Sequence, residues 1–410
     1  MSDCCSAPGL LPFEQAVANM LSQISPITET LTLPIEQALH YVLAHDIASP
    51  LNVPPHDNSA MDGYAFAIES LNESKTLKLI GRSMAGAPFQ GRCKPGECIR
   101  IMTGAKMPDC CDSVEMQENV TVDGEKITFL QEKTFGSHVR NAGEDIKIHQ
   151  QVLHSGHKLT AVDIGVLASL GVAEIVVYRK LKVALIATGD ELKLPGQALR
   201  SGDIYESNSF VLAAMLKTLH VDIIDFGIIT DDFEAIKAAF VSADQQADAV
   251  ISSGGVSVGD ADYTKTVLDE LGEIGFWKIA MKPGKPFAFG KLANSVFFGL
   301  PGNPVSVLVT FHQLALVALT KMQNAQALKR THLSVKCSSD LRKSPGRMDF
   351  QRGVLSVNEA GENVVASTGA QGSGILSSLA RANCFIVLPS EQGGVKAGEM
   401  VNVQLFDHYL

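Results

Sequence analysis

Four glycine-bearing turns each follow a short apolar run, and the first three carry carboxylates, lysines or hydroxyls: TGDEL (188–192), SSGGVSVGDADYT (252–264), KPGKP (282–286) and GLPGNP (299–304). Glycine lets a backbone approach a ligand closely, and successive turn amides form an anion-binding nest. Lysines beside such a nest neutralise oxyanions, and carboxylates there hold a divalent cation that bridges to the anion. In the second turn Gly254, Gly255 and Gly259 free the backbone, Ser253 and Ser257 add hydroxyls, and Asp260 or Asp262 opens a helix. A helix N-terminus favours an anion by about 0.3 to 1 kcal/mol per charge. The plainer reading is a tight turn with an Asp cap, but three glycines around two serines exceed what a cap needs. Lys278, Lys282 and Lys285 fall on one strand and a turn stiffened by Pro283 and Pro286. As compact point charges they suit a tetrahedral oxyanion better than planar arginine would. Asp190 with Glu191, and Asp231 with Asp232, are each in position for a magnesium ion, although ITDDFEAI also reads as a helix cap with an acidic first turn. Gly302 permits close approach, and Ser306 sits in the first turn of the helix that Asn303 and Pro304 open.

Weaker signals lie outside this stretch. HDNSAMDGYAF holds Asp57, Asp62 and Gly63, where an Asp-Gly hairpin turn is the bland alternative. RIMTGAKMP holds Thr103, VRNAGEDIK holds Arg140 and Asp145, GRMDFQRG holds Arg347 and Arg352, and TGAQGSGILSS holds Gln371, Ser373 and Ser377. Each alone reads as a surface loop. The 11 histidines are scattered with none in a glycine turn, so no Ser-His-Asp or Cys-His arrangement, and no covalent catalysis, is indicated.

The elements that must position these residues follow from the patterning. From 181 to 329 strands and helices alternate, which predicts a doubly wound, mostly parallel α/β sheet over 180–329 with the glycine turns gathered at its carboxyl edge. Residues 51–145 show short runs broken by Gly, Pro, Asn and Asp, and predict an inserted β-rich domain. Flanking it, 10–50 and 146–179 carry helical spacing, including runs at Phe13–Leu21 and Ile35–Val42, and predict a discontinuous helical linker domain. Period-2 runs from 330 to 410 predict a small C-terminal β-barrel-like domain.

A chain of 410 residues is too long for one core of ordinary size. Its formal charge of −10 argues against nucleic acid as a partner, because phosphate-backbone binders need a net basic face. The apolar run Val305–Leu319 is shorter than a membrane span and carries His312 and Gln313, so a buried helix is expected and no membrane partner. Eight cysteines without a Cys-x-x-Cys give no zinc spacing and no disulfide framework, so reduced thiols are expected. With no basic and apolar leader at the N-terminus, a cytoplasmic location is expected.

In their order, NSAMDGYA, RIMTGA, AGEDI, ATGDEL, SSGGVSVGDADYT, KPGKPFAFG, GLPGNPVS and DFQRG resemble the molybdopterin molybdenumtransferase family, that of bacterial MoeA and the E domain of gephyrin, over nearly the whole chain. The resemblance implies insertion of molybdate into adenylylated molybdopterin with Mg2+-assisted release of AMP. It also implies a homodimer with clefts near the subunit interface, and other molybdenum cofactor biosynthesis proteins as further partners. By motif position it points to Asp62, Asp145, Glu191, Asp262, Lys278 and Lys282 as catalytic. Glu191, Asp231 and Asp262 become metal ligands, and Thr103, Pro301, Pro304, Arg352 and Ser373 substrate contacts. Beside them the residue reading sets Gly254, Gly255, Ser257, Lys285, Gly302, Ser306 and Arg347. Two rivals remain open: an ATP-dependent molybdopterin adenylyltransferase, and a non-catalytic scaffold of the gephyrin type.

Overall fold

The computed structural model describes residues 9–254 and 263–410. The chain divides into two compact units, one of Met1–Leu31, His40–Val42 and Tyr178–Leu410, the other of Thr32–Leu39 and Leu43–Val177.

In the first unit, strands that are apolar on both faces form a six-stranded sheet. Its order is Asp222–Ile229, Lys182–Thr188, Ala249–Ser253, Val296–Leu300, Pro286–Lys291 and Glu273–Lys278. The first four are parallel; the fifth runs back, and the sixth reverses again. Burial on both sides explains why these segments read as continuous apolar runs rather than alternating ones. Val183, Leu185, Ile251 and Phe298 join one core with Leu212, Leu216, Leu308 and Leu319 from the helices Asn208–Leu219 and Pro304–Met322. Ala184, Ile186, Val250 and Phe297 join the other with Ile236, Phe240, Val267 and Leu268 from Phe233–Gln246 and Tyr263–Leu271. Because the sixth strand runs in the direction of the first four, the ends at Thr188, Ser253, Lys278 and Leu300 share the carboxyl edge. The turn that carries KPGKP leaves from that edge and returns to it at Pro286, which pairs with Lys278.

The apolar helix is longer than its sequence suggested. It runs unbroken over Pro304–Met322, 19 residues with mean hydropathy 1.5 in its most apolar window, long enough by length and composition to cross a membrane. Packing decides its environment, since 89% of that window is buried inside the protein. Residues Phe311–Ala315 form a π turn within it. There the fully buried His312 bonds Asp407 at 3.0 Å, and Arg330 bonds the Gln313 side chain at 2.8 Å.

The C-terminal strands His332–Cys337, Met348–Val357, Asn363–Ser367, Cys384–Leu388 and Met400–Leu405 close into a barrel. Met348–Val357 pairs with both Asn363–Ser367 and Cys384–Leu388, which completes the ring. Val335, Val365, Ile386, Val401 and Val403 fill it. Asn363–Ser367 is a strand that the alternation count missed.

In the second unit a six-stranded mixed sheet orders as Ser113–Met116, Gly63–Phe66, Glu97–Ile101, Thr76–Ser83, Lys126–Phe129 and Val120–Asp123. The fully buried Glu115 is paired with Lys133, itself nearly buried. The helix Ala161–Ser169 begins at a capping box between Thr160 and Asp163. The helix expected over Ile35–Val42 is only a 3-10 turn, Ile35–Gln37, because His40 adopts the left-handed backbone at φ 68°. The cysteine expectation also needs correction, since Cys93 and Cys110 form a disulfide. Their partnership is tertiary, across 17 residues, and spacing rules for short motifs do not register it. Cys98, Cys111, Cys337 and Cys384 remain free.

Candidate active site

The carboxyl edge of the α/β sheet opens into a cavity of about 660 Å³ lined by Thr188, Gly189, Glu191, Asp231, Gly254 and Pro301 to Pro304, with Glu206, Asn208 and Pro286 among the other walls. Two glycines shape its floor. Gly254 has φ +92°, and a Cβ there would meet the Thr188 carbonyl oxygen at 3.0 Å; Gly189 has φ +146°, a backbone conformation that residues with a side chain rarely adopt. Both positions therefore require the absence of a side chain. Gly302, by contrast, has open space around it and permits approach from the cavity.

Negative charge collects on one side. The Asp231 amide donates to the Asp190 carboxylate at 3.1 Å. Partial burial, with the charges of Asp190 and Glu191 nearby, holds the Asp231 carboxyl above its ordinary value. The helix cap is made by the next residue, since Asp232 accepts the Ala235 amide at 2.9 Å, which leaves the Asp231 side chain for the cavity. Oxygen donors of this kind are what a hard divalent cation takes, but Asp190, Glu191 and Asp231 are not gathered closely enough in this structure to share one ion by themselves. On the rim, Lys193 bonds the Asp190 carbonyl at 3.1 Å and faces Asp203 at 3.9 Å.

No local pattern marks Asn208 as a site residue. It donates to the Gly302 carbonyl at 2.9 Å, while its buried Oδ1 has no hydrogen-bond partner among the described residues. Read as part of a helix start, ESN carries no warning of this. On the same unit the Val305 amide, at the start of the buried helix where Ser306 also sits, donates to the Ser373 carbonyl at 3.0 Å. That bond ties the barrel loop with Ser373 to GLPGNP.

The lysines separate. Lys282 lines a second cavity of about 660 Å³ with Arg342, Lys343 and Lys396, and lies 3.5 Å from the buried carboxylate of Asp349. Burial draws the Lys343 ammonium below its ordinary value; Asp349 and Glu391 oppose this, whereas Lys282 and Arg347 reinforce it. Lys282, Lys343 and Arg347 thus form a basic group that the KPGKP motif only half announced. Lys278 instead lines a hollow with Leu11, Asn19 and Trp277, and its carbonyl accepts the Leu11 amide at 2.8 Å. Lys285 is exposed and lies in neither of those hollows. Arg352 is 1% exposed, bonds Ser378 at 3.0 Å and the Gly372 carbonyl at 3.1 Å, and so holds the loop on either side of Ser373. Gly255, Ser257 and Asp262 lie outside the described residues.

In the second unit, three loops converge. Asp62 Oδ1 accepts both the amide and the hydroxyl of Thr103, each at 2.7 Å, and these two bonds hold its carboxyl below the ordinary value. Asp57 accepts the Ala142 amide at 2.7 Å, which anchors the exposed loop bearing Asp145. Gly63 is no hairpin turn. It lies in a strand paired on both sides, where a Cβ would fall 1.8 Å from the Glu115 carbonyl oxygen.

A parallel sheet with glycine turns and carboxylates at its carboxyl edge, joined to a closed β-barrel, defines a molybdopterin-binding type of protein when set beside known families. Residues 11–171 match the MoeA N-terminal region (domain I and II), 184–321 the probable molybdopterin binding domain, and 334–406 the MoeA C-terminal region (domain IV). The chain is 48% identical to the molybdopterin molybdenumtransferase of Haemophilus influenzae, over 98% of this chain and 100% of that one. It is 34% identical to molybdopterin molybdenumtransferase 2 of Mycobacterium tuberculosis, over 95% and 97%. The crystal structure of the molybdopterin biosynthesis MoeA protein of Pyrococcus horikoshii superposes with a TM-score of 0.84 at 30% identity, covering 97% of this chain and 100% of that one. The chain belongs to the MoeA family, transferases of molybdenum cofactor biosynthesis.

Proposed function

We propose that this chain inserts molybdate into the dithiolene of adenylylated molybdopterin, with Mg2+-assisted release of AMP. The observation that carries the reading is the carboxyl-edge cavity, in which Glu191 and Asp231 face a wall of glycine turns and a helix start. Its size suits a nucleotide-like ligand. Glu191, Asp231 and Asp262 would hold magnesium, which supplies charge neutralisation at the leaving phosphate.

Two anions must share the site. At about 4 Å, unit charges repel by roughly 4 kcal/mol at an effective dielectric near 20. In this reading the oxyanion lies toward the second cavity, where Lys282, with Lys343 and Arg347 beside it, offsets that repulsion. Gly302, with open space around it, lets phosphate oxygens approach the loop, and Asn208 Oδ1 is a free acceptor for a ligand N–H or O–H. In this reading the protein works as a cytoplasmic homodimer, so light scattering should give twice 43.8 kDa.

The test is AMP release from adenylylated molybdopterin with molybdate and Mg2+. Glu191→Gln and Asp231→Asn should each lower the rate on the order of ten- to a hundredfold and raise the Mg2+ concentration required. Unchanged rates in both folded variants would remove the assignment. Transfer of AMP from ATP to metal-free molybdopterin would favour the adenylyltransferase instead, and absence of both reactions the scaffold.

A further inference from the structure

Cys93, Cys110 and Cys111 bring three sulfur atoms within 4.8 Å of one another on the surface of the second unit. Among the described residues this is the one group of three or more His, Cys, Asp or Glu side chains close enough to share an ion. All three residues are half-buried, and the Cys93 and Cys111 sulfurs are 3.9 Å apart. Metal–sulfur bonds of about 2.3 Å place sulfur atoms about 3.8 Å apart in a tetrahedral site and about 4.0 Å apart in a trigonal one. One edge of such a site is therefore already at its liganded length. The backbone around it is fixed: the Cys111 amide donates to the Pro108 carbonyl at 2.9 Å, and Asp112 accepts the Ile68 amide at 3.0 Å. On the other side, the Lys94 amide bonds Glu97 at 2.7 Å and the Gly96 amide bonds Ser70 at 3.2 Å. Ligand side chains thus need to turn without the loops rearranging.

We propose that Cys93, Cys110 and Cys111 form a redox-gated site for one soft d10 cation, Zn2+ or Cu+. The Cys93–Cys110 disulfide closes it and reduction opens it. An external dithiol supplies the electron pair: its two thiols become a disulfide, and Cys93 and Cys110 become thiols. Metal uptake then exchanges three thiol protons for three metal–thiolate bonds, leaving Cu+ three-coordinate or Zn2+ with a fourth position for water. Soft thiolates select these ions over magnesium, so the site does not compete with the carboxylate cavity.

The full chain, reduced with dithiothreitol and desalted without oxygen, is titrated with Zn2+ and separately with Cu+ against chromophoric chelators, alongside the oxidised chain. One equivalent of either ion should bind the reduced protein at least a hundredfold more tightly than the oxidised one. Preference between the arms identifies the ion. The Cys4→Ser, Cys5→Ser double variant should bind as well as the parent, and Cys110→Ser should lose at least a hundredfold. The oxidised parent is a control that involves no substitution, so a folding defect in Cys110→Ser does not obscure the result. Equal uptake by oxidised and reduced protein, uptake that follows Cys4 and Cys5, or no stoichiometric uptake of either ion overturns the proposal.

Discussion

Replacing Arg352 by Met should loosen one loop rather than simply remove a substrate contact. The guanidinium is 1% exposed and donates to Ser378 at 3.0 Å and to the Gly372 carbonyl at 3.1 Å. Hydrogen bonds from a charged group contribute about 1.5 to 3 kcal/mol each, so losing both costs at least about 3 kcal/mol. Methionine fills much of the aliphatic volume, which confines the loss to those bonds and to the stranded acceptors. An opening made easier by 3 kcal/mol exchanges amide hydrogens roughly a hundredfold faster. Hydrogen-exchange mass spectrometry should show that change in peptides covering 368–379, with far less in the helix Phe233–Gln246. Arg352→Lys should fall in between, since one ammonium cannot reproduce the planar fork. Unchanged exchange at 368–379 with reduced activity would refute this reasoning and make Arg352 a direct ligand contact.

Gly63→Ala should unfold the mixed sheet of the second unit or block expression, because its Cβ would sit 1.8 Å from the Glu115 carbonyl oxygen of the paired strand, while pairing on both sides holds Gly63 in place; circular dichroism and solubility decide, and a soluble variant of unchanged melting temperature would contradict it. Thr103→Val removes the hydroxyl bond but keeps the amide bond to Asp62. The Asp62 titration should therefore move upward, closer to an ordinary carboxylate, as followed by carboxyl-carbon NMR. Stability tied to a depressed carboxyl is present above the unfolded value, near 3.8, and lost as pH falls through the folded one. The variant should accordingly show less added acid lability below pH ~4 than the parent, and an identical acid-unfolding profile would count against the Asp62–Thr103 bond.

Much of this protein was legible one segment at a time. Strands of the α/β sheet declared themselves as unbroken apolar runs because both faces are covered, and the glycine turns followed them because a ligand edge needs bare backbone. The acidic ITDDF stretch was ambiguous on paper between a cap and a site; three-dimensional packing divided the labour, with Asp232 on the helix and Asp231 toward the cavity. The disulfide, the Asn208–Gly302 bond and the group of Lys282, Lys343 and Arg347 were not legible, since their members are separated along the chain and no local period links them.

Local patterning by itself determined most of the order of elements, the family motifs and the chemistry of the edge turns, because periodicity and residue type act over a few residues. Tertiary structure alone decided which cations stand together, why Gly63 must be glycine, and that Arg352 serves a loop. Those outcomes depend on distances between segments far apart in sequence, which only closure of the sheets and the barrel sets.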